Sequence, residues 1–156
     1  MKKILLAAVA ALAIVGCSQN EEIEKAGEKA EINFSTIVGK TTRVTPMVTD
    51  NFATFKVNAY NTATVDMNAE TVLGDKEFMK DITANKSGGT WSLTGGGPFY
   101  WPMTDKIQFF AYSPITVTNY TVPDKGYPSF SYVIKAVELQ EDLLAAKVEN
   151  ANKTEN

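Results

Sequence analysis

Cys17 is the single cysteine of the 156-residue chain, and its setting defines its chemistry. Lys2 and Lys3 form a positive head, Ile4–Val15 carry no polar side chain, and the run closes on Ile14-Val15-Gly16-Cys17. A charged start, an apolar middle and a small residue before the cut make a bacterial lipoprotein signal, with cleavage between Gly16 and Cys17 and acylation of the freed cysteine. Twelve apolar residues span about 18 Å as a helix, too short for a hydrocarbon core about 30 Å thick. An ordinary secretory signal with an incidental cysteine fits less well, because such sites prefer A-x-A-like residues.

Other reactive groupings are few. Histidine is absent, so Ser–His, Cys–His and most zinc chemistries lack their parts. Gly95–Gly97 is followed by Pro98 and aromatics, not by the Lys-Ser/Thr and helix of a phosphate loop. Asp66-Met67-Asn68 lacks the alternation of a calcium loop, and adjacent Glu141 and Asp142 point apart on a helix or a strand. No metal, cofactor or catalytic residue is expected, and the chain reads as a non-enzyme. Tyr100 and Trp101, beside a turn, are candidate aromatic ligand contacts; Trp91 and Phe109 read as core. Arg43, the only arginine, lies in the loop GKTTRVTPMVT over 39–49. By itself it reads as a surface cation paired with a carboxylate.

The elements that must carry these residues are short. Removing residues 1–16 leaves 140, enough for one domain. The 15 basic residues fall to 13 without Lys2 and Lys3, against 18 acidic, a net of −5. That balance disfavours a phosphate backbone as partner and leaves membrane attachment to acyl chains. With Cys17 acylated, the fold contains no disulfide and relies on packing.

Residues 17–30 are polar and charge-mixed, and read as a flexible tether, with a short helix over 22–29 as the alternative. From Glu31 the pattern turns to strands: 31–38, 52–60 with Phe55, Val57 and Ala59 inward, 90–93, 106–112, 115–122, and 129–135 with Phe130, Tyr132 and Ile134 on one face. Gly/Pro turn signals separate them. Residues 138–147 read equally as one or two helical turns or a last strand, and 148–156 as a disordered tail. This grammar predicts an all-β fold, an antiparallel β-sandwich.

Several of these stretches together resemble a known family. Ile32-Asn33-Phe34-Ser35, Lys40-Thr41-Thr42-Arg43, FATFKVNAY (52–60), Tyr100-Trp101-Pro102, DKIQFFAYSP (105–114), SFSYV (129–133) and QEDLLA (140–145) are similar to the N-terminal part of Bacteroidetes fimbrillin-like lipoproteins. The resemblance runs from Glu31 to about Lys147, and Trp-Pro followed by DKIQFFAYSP is its most specific piece. It implies a transthyretin-like sandwich over 31–147. Family members usually carry a second sandwich beyond the QEDLL-like motif, so the chain is expected to be truncated or a shortened, incomplete relative.

The resemblance further implies a fimbrial (pilus) structural subunit or fimbria-associated adhesin, with other fimbrial subunits as partners and a host or glycan ligand as a candidate. It implies an outer-membrane lipoprotein on the cell surface or in the fimbrium, which the acids beyond Cys17 suit. In polymerising members an arginine-specific protease removes the first strand, and the vacated groove accepts a strand of the next subunit. That implication makes Arg43 a candidate processing site. The rival expectation is a glycan-binding outer-membrane lipoprotein of a polysaccharide-uptake system, acting through Tyr100 and Trp101.

Overall fold

The computed structural model describes residues 30–34 and 52–153. Among the described residues seven strands follow one another: β1 (Thr54–Asn61), β2 (Glu77–Ser87), β3 (Thr90–Thr94), β4 (Ile107–Ser113), β5 (Thr118–Thr121), β6 (Ser129–Ser131) and β7 (Leu144–Ala151). A 3₁₀ turn at Val137–Leu139 precedes β7. The main sheet is antiparallel in the order β3-β2-β1-β4-β7, and β5 and β6 form a separate hairpin. The all-β, antiparallel expectation holds.

Each face of the main sheet has its own core. Phe55, Val57 and Ala59 of β1, Met79, Ile82 and Ala84 of β2, and Ile107 and Phe109 of β4 build the larger one. Tyr60, Phe110, Met67 and Leu73 build the other, and Tyr112 stacks there against Tyr120 of the hairpin. The alternation read in β1 thus hides a second buried set. Asn58 is only 4 % exposed and Tyr60 1 %, because a sheet covered on both faces buries both phases of the period-2 pattern.

Register shifts interrupt the main sheet at three places, between Val57 and Ala59, between Ala59 and Tyr60, and between Ile107 and Phe109; the first and last are bulges braced by side chains. In β2, Val57 pairs with Ile82 and Ala59 with Met79, so Asn58 faces both Lys80 and Asp81. Asp81 takes a positive φ of 52°, and Asn58 Oδ1 accepts its backbone N–H at 2.8 Å. In β7, Ile107 pairs with Ala151 and Phe109 with Val148, so Gln108 faces Glu149 and Asn150. An extra residue of this kind bends the strand and re-aims its side chains.

Three expectations change. β2, the longest strand at 11 residues, was not among the predicted strands, since its bulge breaks the alternation between Met79 and Ile82. The strand expected over 129–135 ends at Ser131, and Ile134 is 77 % exposed rather than sharing an inward face. Residues 148–151, expected to begin a disordered tail, complete β7, and Ala151 is buried. Of the two readings left open for 138–147, the strand is realised from Leu144, after one 3₁₀ turn.

Candidate functional site: the groove beneath the first segment

Residues 30–34 do not join the main sheet. They run antiparallel to the aromatic stretch at 99–101, with an isolated bridge between Glu31 and Tyr100. Ile32 N–H donates to the Phe99 carbonyl at 2.8 Å, and Trp101 N–H donates to the Ala30 carbonyl at 2.9 Å. Alternation then turns Ile32 and Phe34 inward. Ile32 is 2 % exposed. The Phe34 ring meets Phe55 and Phe109 edge-on, at centroid distances of 5.8 and 5.9 Å.

This short segment therefore acts as the lid of the larger core. Hollows open on either side of it. One, of about 620 Å³, is floored by Phe55, Val57 and Phe109 and bounded by Ala146, Val148 and Ala151 of β7. The other, of about 420 Å³, lies toward Trp91, Leu93 and the turn 96–98. Burying Ile32 and Phe34 is worth about 1.5–3 kcal/mol each, and two backbone hydrogen bonds add about 1 kcal/mol apiece. The segment thus presents two apolar side chains, at alternate positions, to an apolar floor.

The predicted site residues are distributed as follows. Gly16, Cys17 and Arg43 lie outside the described residues. Tyr100 and Trp101, expected to act together, have different settings. Trp101 packs edge-on against Phe109 at 5.8 Å and borders the groove, whereas Tyr100 is 39 % exposed. Trp91 packs beside Phe52 and Phe55 against the core, and Phe109 is buried within it, as expected.

Sequence reasoning missed a second set of aromatics on the opposite face. Tyr112, Tyr120, Phe130 and Tyr127 gather between β4, β7 and the hairpin. Tyr60 and Tyr120 share a hydroxyl hydrogen bond at 3.2 Å. Burial, the largest influence, raises the phenols of Tyr60, Tyr112 and Tyr120 above their ordinary value of 10.0. The available signal was the Tyr/Phe recurrence in β4 and across Tyr120–Phe130, which only the packing of the hairpin converts into a cluster.

The comparisons with known proteins agree with this architecture. A family model described as fimbrillin-like matches residues 42–156. The chain is 30 % identical, over 159 aligned positions, to a protein of Phocaeicola vulgatus named Fimbrium subunit Fim1C. That match covers 91 % of this chain and 41 % of the relative, so the chain spans less than half the length of the curated protein it matches. No solved structure matches. With its antiparallel strands and a family match over most of its length, the chain belongs to the fimbrillin-like family.

Proposed function

We propose that this chain is a structural subunit of a fimbrium, or an adhesin associated with one, and that it assembles by strand addition. The carrying observation is the lid: Ile32 and Phe34 fill an apolar groove, and two backbone hydrogen bonds hold their segment. Removing it would uncover Phe55, Val57, Phe109 and Trp101, a floor that an incoming strand from another subunit can cover. Family membership and the printed name of the Phocaeicola relative support the subunit role. The protein works by assembly and not by catalysis.

In this reading Cys17 carries the lipid that delivers the chain to the outer membrane and cell surface, residues 17–30 form its tether, and residues 31–147 supply the sandwich, which β7 extends to Ala151. Cleavage after Arg43 then severs the lid and its lipid from the rest of the fold. Since Arg43 is the only arginine, an arginine-specific protease has one site in the chain.

The test is digestion of the purified mature protein with such a protease, followed by size-exclusion chromatography. Cleaved wild type is expected to lose residues up to Arg43 and to take up a synthetic peptide of alternating apolar residues, while Arg43→Ala stays intact and monomeric. Loss of the segment with neither peptide uptake nor oligomers would refute strand addition.

A further inference from the structure

The connection from β6 to β7 carries a large share of the exposed apolar surface. Val133, Ile134, Val137, Leu139 and Leu143 are all exposed, Val133 and Ile134 by more than three-quarters. Among the described residues they are five of the twelve exposed large apolar side chains, and they fall within eleven positions. Lys135 pairs with Glu141, and the Tyr132 hydroxyl donates to the Glu141 carbonyl at 3.4 Å. These contacts draw the two limbs of the connection together, so its apolar residues share one loop. Apolar residues scattered singly over a surface need no explanation, whereas a gathering of them marks a contact surface.

The backbone is open as well. Among the described residues β6 pairs with β5 along one edge only. The chain runs on from β6 to Ala136, which is extended at φ −57° and ψ 155°. Within 132–143 the one backbone-to-backbone hydrogen bond among the described residues runs from Leu139 N–H to the Ala136 carbonyl. An unpaired strand edge is a template for another strand. A two-stranded sheet such as β5–β6 also gains most from a third.

Charge narrows the partner. Over 133–143 one basic residue, Lys135, stands against three acids, Glu138, Glu141 and Asp142, a net of −2. A second copy docking through the same loop would set −2 against −2. Its few hundred Å² of apolar surface also falls short of the about 800 Å² per partner of a stable dimer. The hollows of the molecule described above are not lined by these residues, so a small ligand finds no cavity here. We infer that the run from Val133 to Leu143 docks an extended apolar segment of another protein chain, flanked by lysine or arginine and laid along the free edge of β6. Main-chain hydrogen bonds and the exposed apolar side chains then hold the segment, and its cations meet Glu138 and its neighbours. None of these residues lines the groove beneath the lid, and the inference does not rest on strand addition there.

The test titrates the intact mature protein with a labelled peptide of alternating valine and threonine that has lysines at both ends. Fluorescence polarisation reads affinity, and amide NMR shifts read location. Binding is expected, with shifts centred on 129–143, and a counterpart ending in glutamates should bind about tenfold more weakly. Ile134→Ser and Leu139→Ser lie at exposed positions and leave the fold unchanged in circular dichroism. Each should weaken binding about tenfold, the effect of losing one buried apolar contact. Glu138→Lys should cost about threefold, as for one surface ion pair, and Val65→Ser, an exposed apolar residue elsewhere, should change nothing. Several results would overturn the inference: no binding, equal affinity for the two peptides, full affinity in both serine variants of the loop, or shifts centred on 32–34 and 99–101.

Discussion

Gln108 and Asn150 clasp one another across the β4–β7 ladder. The Asn150 backbone N–H donates to Gln108 Oε1 at 2.7 Å, and Gln108 Nε2 donates back to Asn150 Oδ1 at 3.0 Å. Gln108 is fully buried, and its Nε2 also donates to Thr62 Oγ1 at 2.8 Å. Asn150 sits at φ 58°, in the left-handed region that Asn tolerates better than most residues. Its Oδ1 further accepts the Met67 N–H at 2.9 Å. Asn58 and Asp81 repeat the device on the other side of β1: a carboxamide on the straight strand accepts the N–H of the bulged one. Both bulges are thus specified by side chains and not by turn geometry.

Replacing Gln108 by Leu should therefore be costly despite the similar volume. It leaves the Asn150 N–H without its partner inside the sheet, at about 1–3 kcal/mol for each orphaned group. We expect a total loss of about 3 kcal/mol in urea unfolding. Asn150→Gly, which keeps the positive φ and removes one side-chain partner, should cost about half as much.

The lid makes a second prediction. Ile32→Ala should destabilise the fold by about 3 kcal/mol through the cavity it leaves, and Phe34→Ala by a similar amount. Asn33→Ala, at an exposed position, should be nearly silent. Tryptophan fluorescence checks the location, because Trp101 borders the same groove: its emission should shift to the red in the first two variants only.

Alkaline stability depends on the buried phenols. Burial raises the folded-state values of Tyr60, Tyr112 and Tyr120, so above pH 10.0 the unfolded chain releases protons that the folded chain retains. The stability associated with these protons is complete below pH 10.0 and is lost as the pH climbs beyond it. Tyr120→Phe should flatten that decline while costing about 1 kcal/mol at neutral pH for the hydrogen bond to Tyr60. Urea titrations across the alkaline range, with tyrosinate absorbance read in parallel, measure both effects.

The anchor is tested in cells. Cys17→Ser should abolish incorporation of labelled fatty acid and release the protein from the membrane fraction, with folding unchanged in circular dichroism. Label retained in the variant would place the lipid elsewhere.

Legibility varied along the chain for identifiable reasons. β1, β3 and β4 could be read directly, since FATFKVNAY, TWSL and KIQFFAY alternate or run apolar between turn signals. β2 was hidden because its buried residues Met79, Ile82 and Ala84 change phase at Asp81. The VENA end of β7 looked polar because its ladder depends on Gln108, a residue forty-two positions away. The clustering of Tyr112, Tyr120, Tyr127 and Phe130 was equally invisible, as it requires the hairpin to pack on the sheet.

The linear chain determined the features that depend on composition and local order. These are the apolar run ending at Cys17, the absence of histidine, the single arginine and the strand-and-turn rhythm of an all-β protein. Such properties follow from residue type or from neighbours along the backbone. The tertiary structure alone decided which segment caps the larger core, which aromatics gather on the second face and where the two bulges fall. Each depends on contacts between residues distant in sequence, and period-2 alternation says nothing of what lies across the sheet.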